Sequence, residues 1–115
     1  MPTWDDVVAI AQRFPQVEEG THWNTPSLRV GGKFFARLRS EAEGGLAIAC
    51  DPSEKEALLA EGDPAFYTTP HYDGYAMILI DLDKIKVRRL EEIVEDAWFL
   101  KAPARVRKAY EAAGE

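Results

Sequence analysis

A chain of 115 residues, 46% of them hydrophobic, has the size of one ordinary domain and can fill one core between two layers. Its net charge of −6, from 20 acidic and 14 basic residues, excludes a general nucleic-acid coat, which is basic overall. No apolar run approaches the ~20 residues that cross a bilayer, no secretory leader is legible at the start, and Cys50 alone forms no internal disulfide, so a cytoplasmic protein is expected.

Residues 3–14 are predicted to be a helix. Thr3 is placed to cap it, Asp6 sits three residues on as in a capping box, and Asp5 and Asp6 suit the positive end of the helix dipole. Trp4, Val7, Val8, Ala11 and Phe14 fall on one face, and Pro15 ends the run. "VEEGTHW" (17–23) reads as a strand or extended arm. "TPSLRVGGKFFARLRSE" (25–41) reads as a hairpin turning at Gly31-Gly32. A two-residue loop would pair Val30 with Lys33 and mix apolar with basic on each face. A three-residue loop would pair Val30 with Phe34. It would bury Leu28, Val30, Phe34, Ala36 and Leu38, and leave Ser27, Arg29, Phe35, Arg37 and Arg39 on the solvent side. The burial pattern favours the second register.

"GLAIAC" (45–50) is predicted to be a third strand. "DPSEKEALLAEG" (51–62) is a helix punctuated by Asp51 as cap, Pro52 at the first position and Gly62 at the stop. "YAMILIDL" (75–82) is a strand apolar enough for burial on both faces. Residues 87–100 form a helix with Leu90, Ile93, Val94, Ala97 and Trp98 inward, and residues 104–113 a last helix beyond Pro103. The order implies an α+β fold, a two-layer sandwich with an antiparallel sheet packed on helices.

Chemistry is sparse. His22, His71 and Cys50 are the imidazole and thiol candidates, and their spacing is not that of a zinc site, so no metal and no cofactor is expected. There is no GxSxG elbow, phosphate loop or HExxH helix, and a non-enzymatic role is expected. Two features remain. "FYTTPHYDGY" (66–75) gathers five rings around an Asp73-Gly74 turn, and "GTHWNTP" (20–26) has a similar makeup. Either they cap a core edge, or His22, Trp23, His71, Tyr72 and Tyr75 converge on an aromatic pocket for a small ligand or a protein. The other feature is basic clustering. Twelve of the fourteen basic residues lie in three blocks, and the hairpin block offers Arg29, Lys33, Arg37 and Arg39 beside Phe35. That is the composition of a β-ribbon that touches DNA phosphates, and equally of a solvated strand face.

"TPSLRVGGKFFARL", "FYTTPHYDGYAMILIDL" and "EDAWFLKAPARV" together resemble the MmcQ/YjbR-like family of small bacterial proteins, from the first helix to about residue 107. "GGKFFARL" and "TPHYDGY" are the specific blocks. The resemblance implies a two-layer sandwich of the secretion-chaperone type over the whole chain, residues 1–115. It also implies DNA binding by a double-wing arrangement of strands and loops. It supplies no catalytic set. The expected function is DNA binding through the basic hairpin, with a pocket-based binding module as the alternative.

Overall fold

Local signals at the chain start set the first element of the computed structural model, which describes residues 2–22 and 24–113. Thr3 accepts a hydrogen bond from the Asp6 N–H, and the Asp6 carboxylate accepts one from the Thr3 N–H at 2.8 Å. This capping box opens helix α1 (Trp4–Ala11), shorter than the predicted 3–14 because the chain turns before Pro15. Phe14 is buried all the same. Strands β1 (Val17–His22), β2 (Thr25–Val30), β3 (Lys33–Leu38) and β4 (Leu46–Ala49) follow as a meander. Asp51 caps helix α2 (Pro52–Ala60) by accepting from the Ser53 N–H at 3.0 Å. A two-residue strand β5 (Phe66–Tyr67) and strand β6 (Met77–Ile80) precede helices α3 (Val87–Lys101) and α4 (Ala104–Ala113).

The six strands form one antiparallel sheet in the order β1-β2-β3-β4-β6-β5. β1 lies at one edge with most of its residues exposed, and β5 lies at the other edge beside α2. One sheet face packs on all four helices. Val7 and Ile10 of α1, Leu58 of α2, the predicted stripe Leu90, Ile93, Val94, Ala97 and Trp98 of α3, and Val106 of α4 share a core with Leu28, Leu46, Ile48, Ile78 and Ile80. Trp98 is fully buried, stacks on Phe14 at 5.4 Å, and donates its indole N–H to Pro15 O at 3.0 Å. The α+β two-layer sandwich is therefore the fold. No helix among the described residues is long and apolar enough to cross a membrane.

The hairpin corrects the predicted register. Gly31 (φ 56°) and Gly32 (φ 81°) both occupy the left-handed region, which makes a two-residue turn and pairs Val30 with Lys33. A bulge then restores the expected burial of Leu28, Val30 and Ala36, whereas Leu38 is only half-buried and Ser27, expected on the solvent side, is buried. Arg29 pairs with Phe34 and Leu28 with Ala36, so Phe35 is the extra residue on β3. Phe35 turns inward with Leu28, Val30 and Ala36 and is fully buried, whereas Phe34, expected in the core, lies half-buried on the opposite face. Neither simple ladder accommodates this sequence, because both Phe35 and Ala36 must point into one core. The turn itself is pinned: a Cβ on Gly31 would sit 2.5 Å from Pro103 Cγ, between α3 and α4.

Candidate functional site

The sheet face without helices carries Arg37, Ala47, Leu79 and Tyr67 in one cross-strand row. The segment between β5 and β6 folds back over this row. Tyr72 and Tyr75 flank the Asp73-Gly74 turn, closed by Tyr75 N–H donating to Tyr72 O at 3.0 Å. Tyr72 is buried on Ala47 and Leu79. Lys55 of α2, itself buried, donates from Nζ to Tyr72 O at 2.6 Å and Tyr75 O at 2.9 Å, and so holds the turn against the sheet.

A concavity of about 570 Å³ opens beside this turn. It brings together His22 at the end of β1, Phe34 and Arg37 of β3, Ser40 and Glu43 of the following loop, and His71, Tyr72, Tyr75 and Met77. His22 stacks on Phe34 with centroids 4.6 Å apart and planes at 19°. His71 meets Tyr72 edge-on at 4.9 Å, and Tyr75 lies 5.7 Å from His71. The two aromatic segments therefore border one space; Trp23 lies outside the described residues.

Two arginines lie beneath the rings. Arg37 donates from Nε to Thr25 Oγ1 at 3.1 Å and from Nη1 to the Tyr72 hydroxyl at 2.9 Å. Arg39 donates from Nη1 to Gly44 O at 3.2 Å and to the Tyr67 hydroxyl at 3.4 Å, and its Cζ lies 5.6 Å from the Tyr72 ring centroid. Only 11% and 9% of the two side chains remain exposed. The Nη2 of each faces the Glu43 carboxylate, at 3.5 and 3.6 Å. Ser40 fixes that carboxylate with its hydroxyl at 3.1 Å and its N–H at 3.4 Å. The Ser40 hydrogen bonds, more than the arginines, hold the Glu43 carboxyl below the usual carboxylate range. Desolvation first, then Arg37 and Arg29, lowers the pKa of His22 and favours its neutral ring.

Arg29, Arg37 and Arg39 do share one sheet face, but the expected exposure of Arg37 and Arg39 is corrected. Thr25, the overlying turn and the loop 40–45 take up most of their donors, and Arg39 Nε is buried with no partner among the described residues. Phe35 has no accessible face to stack on a base. Arg29 is half-buried, with Nη1 3.5 Å from Gly32 O, and Lys33 at the hairpin tip is exposed. Phe34, Ser40, Glu43, Met77 and Lys55 are the site residues that sequence reasoning missed. Met77 is part of a strand pattern. Ser40 and Glu43 look like ordinary loop polars in "SEAEGG", and only their spacing of three hinted at a local turn.

Cys50 lies in a second concavity of about 430 Å³, with Asp51, Glu54, Asp96 and Arg107, away from both histidines. Burial first, then Glu54 and Asp51, pushes its thiol up to about 11, the opposite of what a nucleophile needs. Among the described residues no group of three or more His, Cys, Asp or Glu is placed to hold a metal ion.

Three comparisons bear on this arrangement. The family model described as YjbR matches residues 12–100. Uncharacterized protein Rv2570 of Mycobacterium tuberculosis and Uncharacterized protein Mb2600 of Mycobacterium bovis are each 33% identical over 124 residues, covering 96% of this chain and 96% of the relative. The crystal structure of Deinococcus radiodurans protein DR2400, with the family-model domain DUF419, superposes with a TM-score of 0.74 at 19% identity. That match covers 87% of this chain and 78% of the other, and it shows a shared fold.

Proposed function

The chain belongs to the YjbR family, and from that premise we propose that it is a non-enzymatic binding module whose site is the concavity on the helix-free sheet face. One observation carries the reading. His22, Phe34 and the 71–75 turn, distant in sequence, converge on one concavity of ligand size, lined by rings with a few fixed polar groups. A turn that merely sealed the core would not leave Tyr75 56% exposed at its rim. Nor would it lie over arginines held in place by hydroxyl and carbonyl acceptors. The non-enzymatic part rests on the groups at hand. The thiol is disarmed by burial and by the carboxylates of Glu54 and Asp51, and among the described residues the concavity is lined by no cysteine or lysine.

The test is a nuclear magnetic resonance screen of small aromatic compounds against wild type and Tyr75→Ala. Hits should shift signals of His22, Phe34, His71 and Tyr75 together. Tyr75→Ala should weaken them while keeping stability within about 0.5 kcal/mol, as for an exposed residue. Hits confined to the Cys50 side, or none, would sink the pocket.

DNA binding through the hairpin is the second reading, supported by Lys33, exposed at the tip, with Arg29 half-buried beside it. With two phosphate contacts the log–log salt slope would be about −1.8. Duplex DNA titrated at low salt tests it with Lys33→Glu, which should abolish binding. No binding by wild type at ~100 μM refutes it. Charge reversal of Arg37 or Arg39 is no test, because both are built into the fold.

A further inference from the structure

Building on the pocket reading above, we infer that the concavity takes a planar aromatic ligand bearing an anionic group, and that Glu43 is an internal stand-in for that group. The charge distribution is the first ground. Among the described residues, Arg37 and Arg39 meet a single carboxylate within ion-pair distance, that of Glu43. The other partners of the two guanidiniums are neutral: the Thr25, Tyr67 and Tyr72 hydroxyls and the Gly44 carbonyl. Arg37 lines the concavity and Arg39 lies behind it against Tyr72 and Glu43, so two fixed positive charges against one negative leave about +1 at this wall of the site, in a protein whose total is −6.

The second ground is how loosely Glu43 fills its place. Its oxygens stand 3.5 and 3.6 Å from the guanidinium nitrogens, beyond the ~2.7–2.9 Å of a well-made charged hydrogen bond. The Glu43 side chain is 45% exposed, whereas the two arginines are nearly enclosed. The Arg39 Nε–H is buried without a partner among the described atoms. The cations are thus rigid and preorganised, while the anion is held on a loop by Ser40 and can swing to water. A pair this long, with its carboxylate half-exposed, is a weak one, and an incoming carboxylate or phosphate loses little by replacing it. The ring clusters supply the other half of the ligand. The stacked His22–Phe34 pair and the His71–Tyr72–Tyr75 group both line the same space as Arg37, so an aromatic body can lie against rings while its anion reaches the guanidinium.

The experiment compares two acids, indole-3-acetate and adenosine monophosphate, with their neutral counterparts indole-3-acetamide and adenosine. Binding is followed by calorimetry and by the ring-proton signals of His22 and His71. Each acid should bind about tenfold tighter than its neutral counterpart. Glu43→Gln should tighten the acids roughly fivefold relative to their neutral counterparts, because it removes the competing carboxylate from an exposed loop. Arg37→Met, with its folding checked by melting, should erase the difference between acid and neutral. The acid with the larger gain tells a carboxylate site from a phosphate site. Neutral compounds binding as well as acids, or Glu43→Gln weakening the acids, would overturn the anionic ligand and leave the pocket standing. No binding by any of the four, or shifts away from the two histidines, would overturn both.

Discussion

Lys55 is a charged residue taken almost wholly out of water. Its ammonium is held by the carbonyl oxygens of Tyr72 and Tyr75, 17 and 20 residues away in sequence. Burying a charge is tolerable only with such compensation, so the two contacts are a condition of the fold rather than an ornament on it. Lys55→Met keeps the stem and strands both carbonyls. Stability should fall by about 1–3 kcal/mol, and amide exchange at residues 72–75 should quicken. Unchanged melting and exchange would show that the turn holds itself. None of this was legible in "DPSEKEALLAEG", where Lys55 looks like any solvated helix lysine. Its partners are backbone atoms, which leave no mark in a sequence. The rings were different. His22, His71, Tyr72 and Tyr75 could be singled out because aromatic side chains crowded around turn residues are conspicuous. Their convergence depended on a sheet order that periodicity does not give.

Among elements, helices were the legible ones. The stripe of α3 and the cap of α1 are local, set by residues three or four apart, and both formed as the spacing predicts. The hairpin was legible as a hairpin and misread in register. Alternation assumes an unbroken ladder, and here one extra residue reverses every later position of β3 relative to its start. The consequence separates two neighbouring phenylalanines. Phe35→Ala should cost about 3–5 kcal/mol by opening a cavity in the core, while Phe34→Ala should cost about 1 kcal/mol or less and act on ligand binding instead. Denaturant melts of the two variants measure the difference. Equal losses would mean that the bulge lies elsewhere.

At the scale of the whole molecule, the two sheet edges are finished differently. β5 is only two residues long and lies beside α2. β1 is six residues long, pairs on one side only, and is exposed along most of its length. An uncapped edge of that length is a template on which a second copy can continue the sheet. What opposes such templating is the composition of the strand. Glu18 and Glu19 are consecutive on it and project to opposite faces, so two copies meeting edge to edge there would oppose carboxylates on both faces. The pair works as a gatekeeper whose strength depends on its charge. Glu18→Gln with Glu19→Gln should therefore leave the domain's melting nearly unchanged yet raise its tendency to self-associate, read by light scattering against concentration. A double variant as monodisperse as wild type would mean that the edge is protected by its shape. Otherwise the two adjacent glutamates are what keep an open sheet from becoming a polymer.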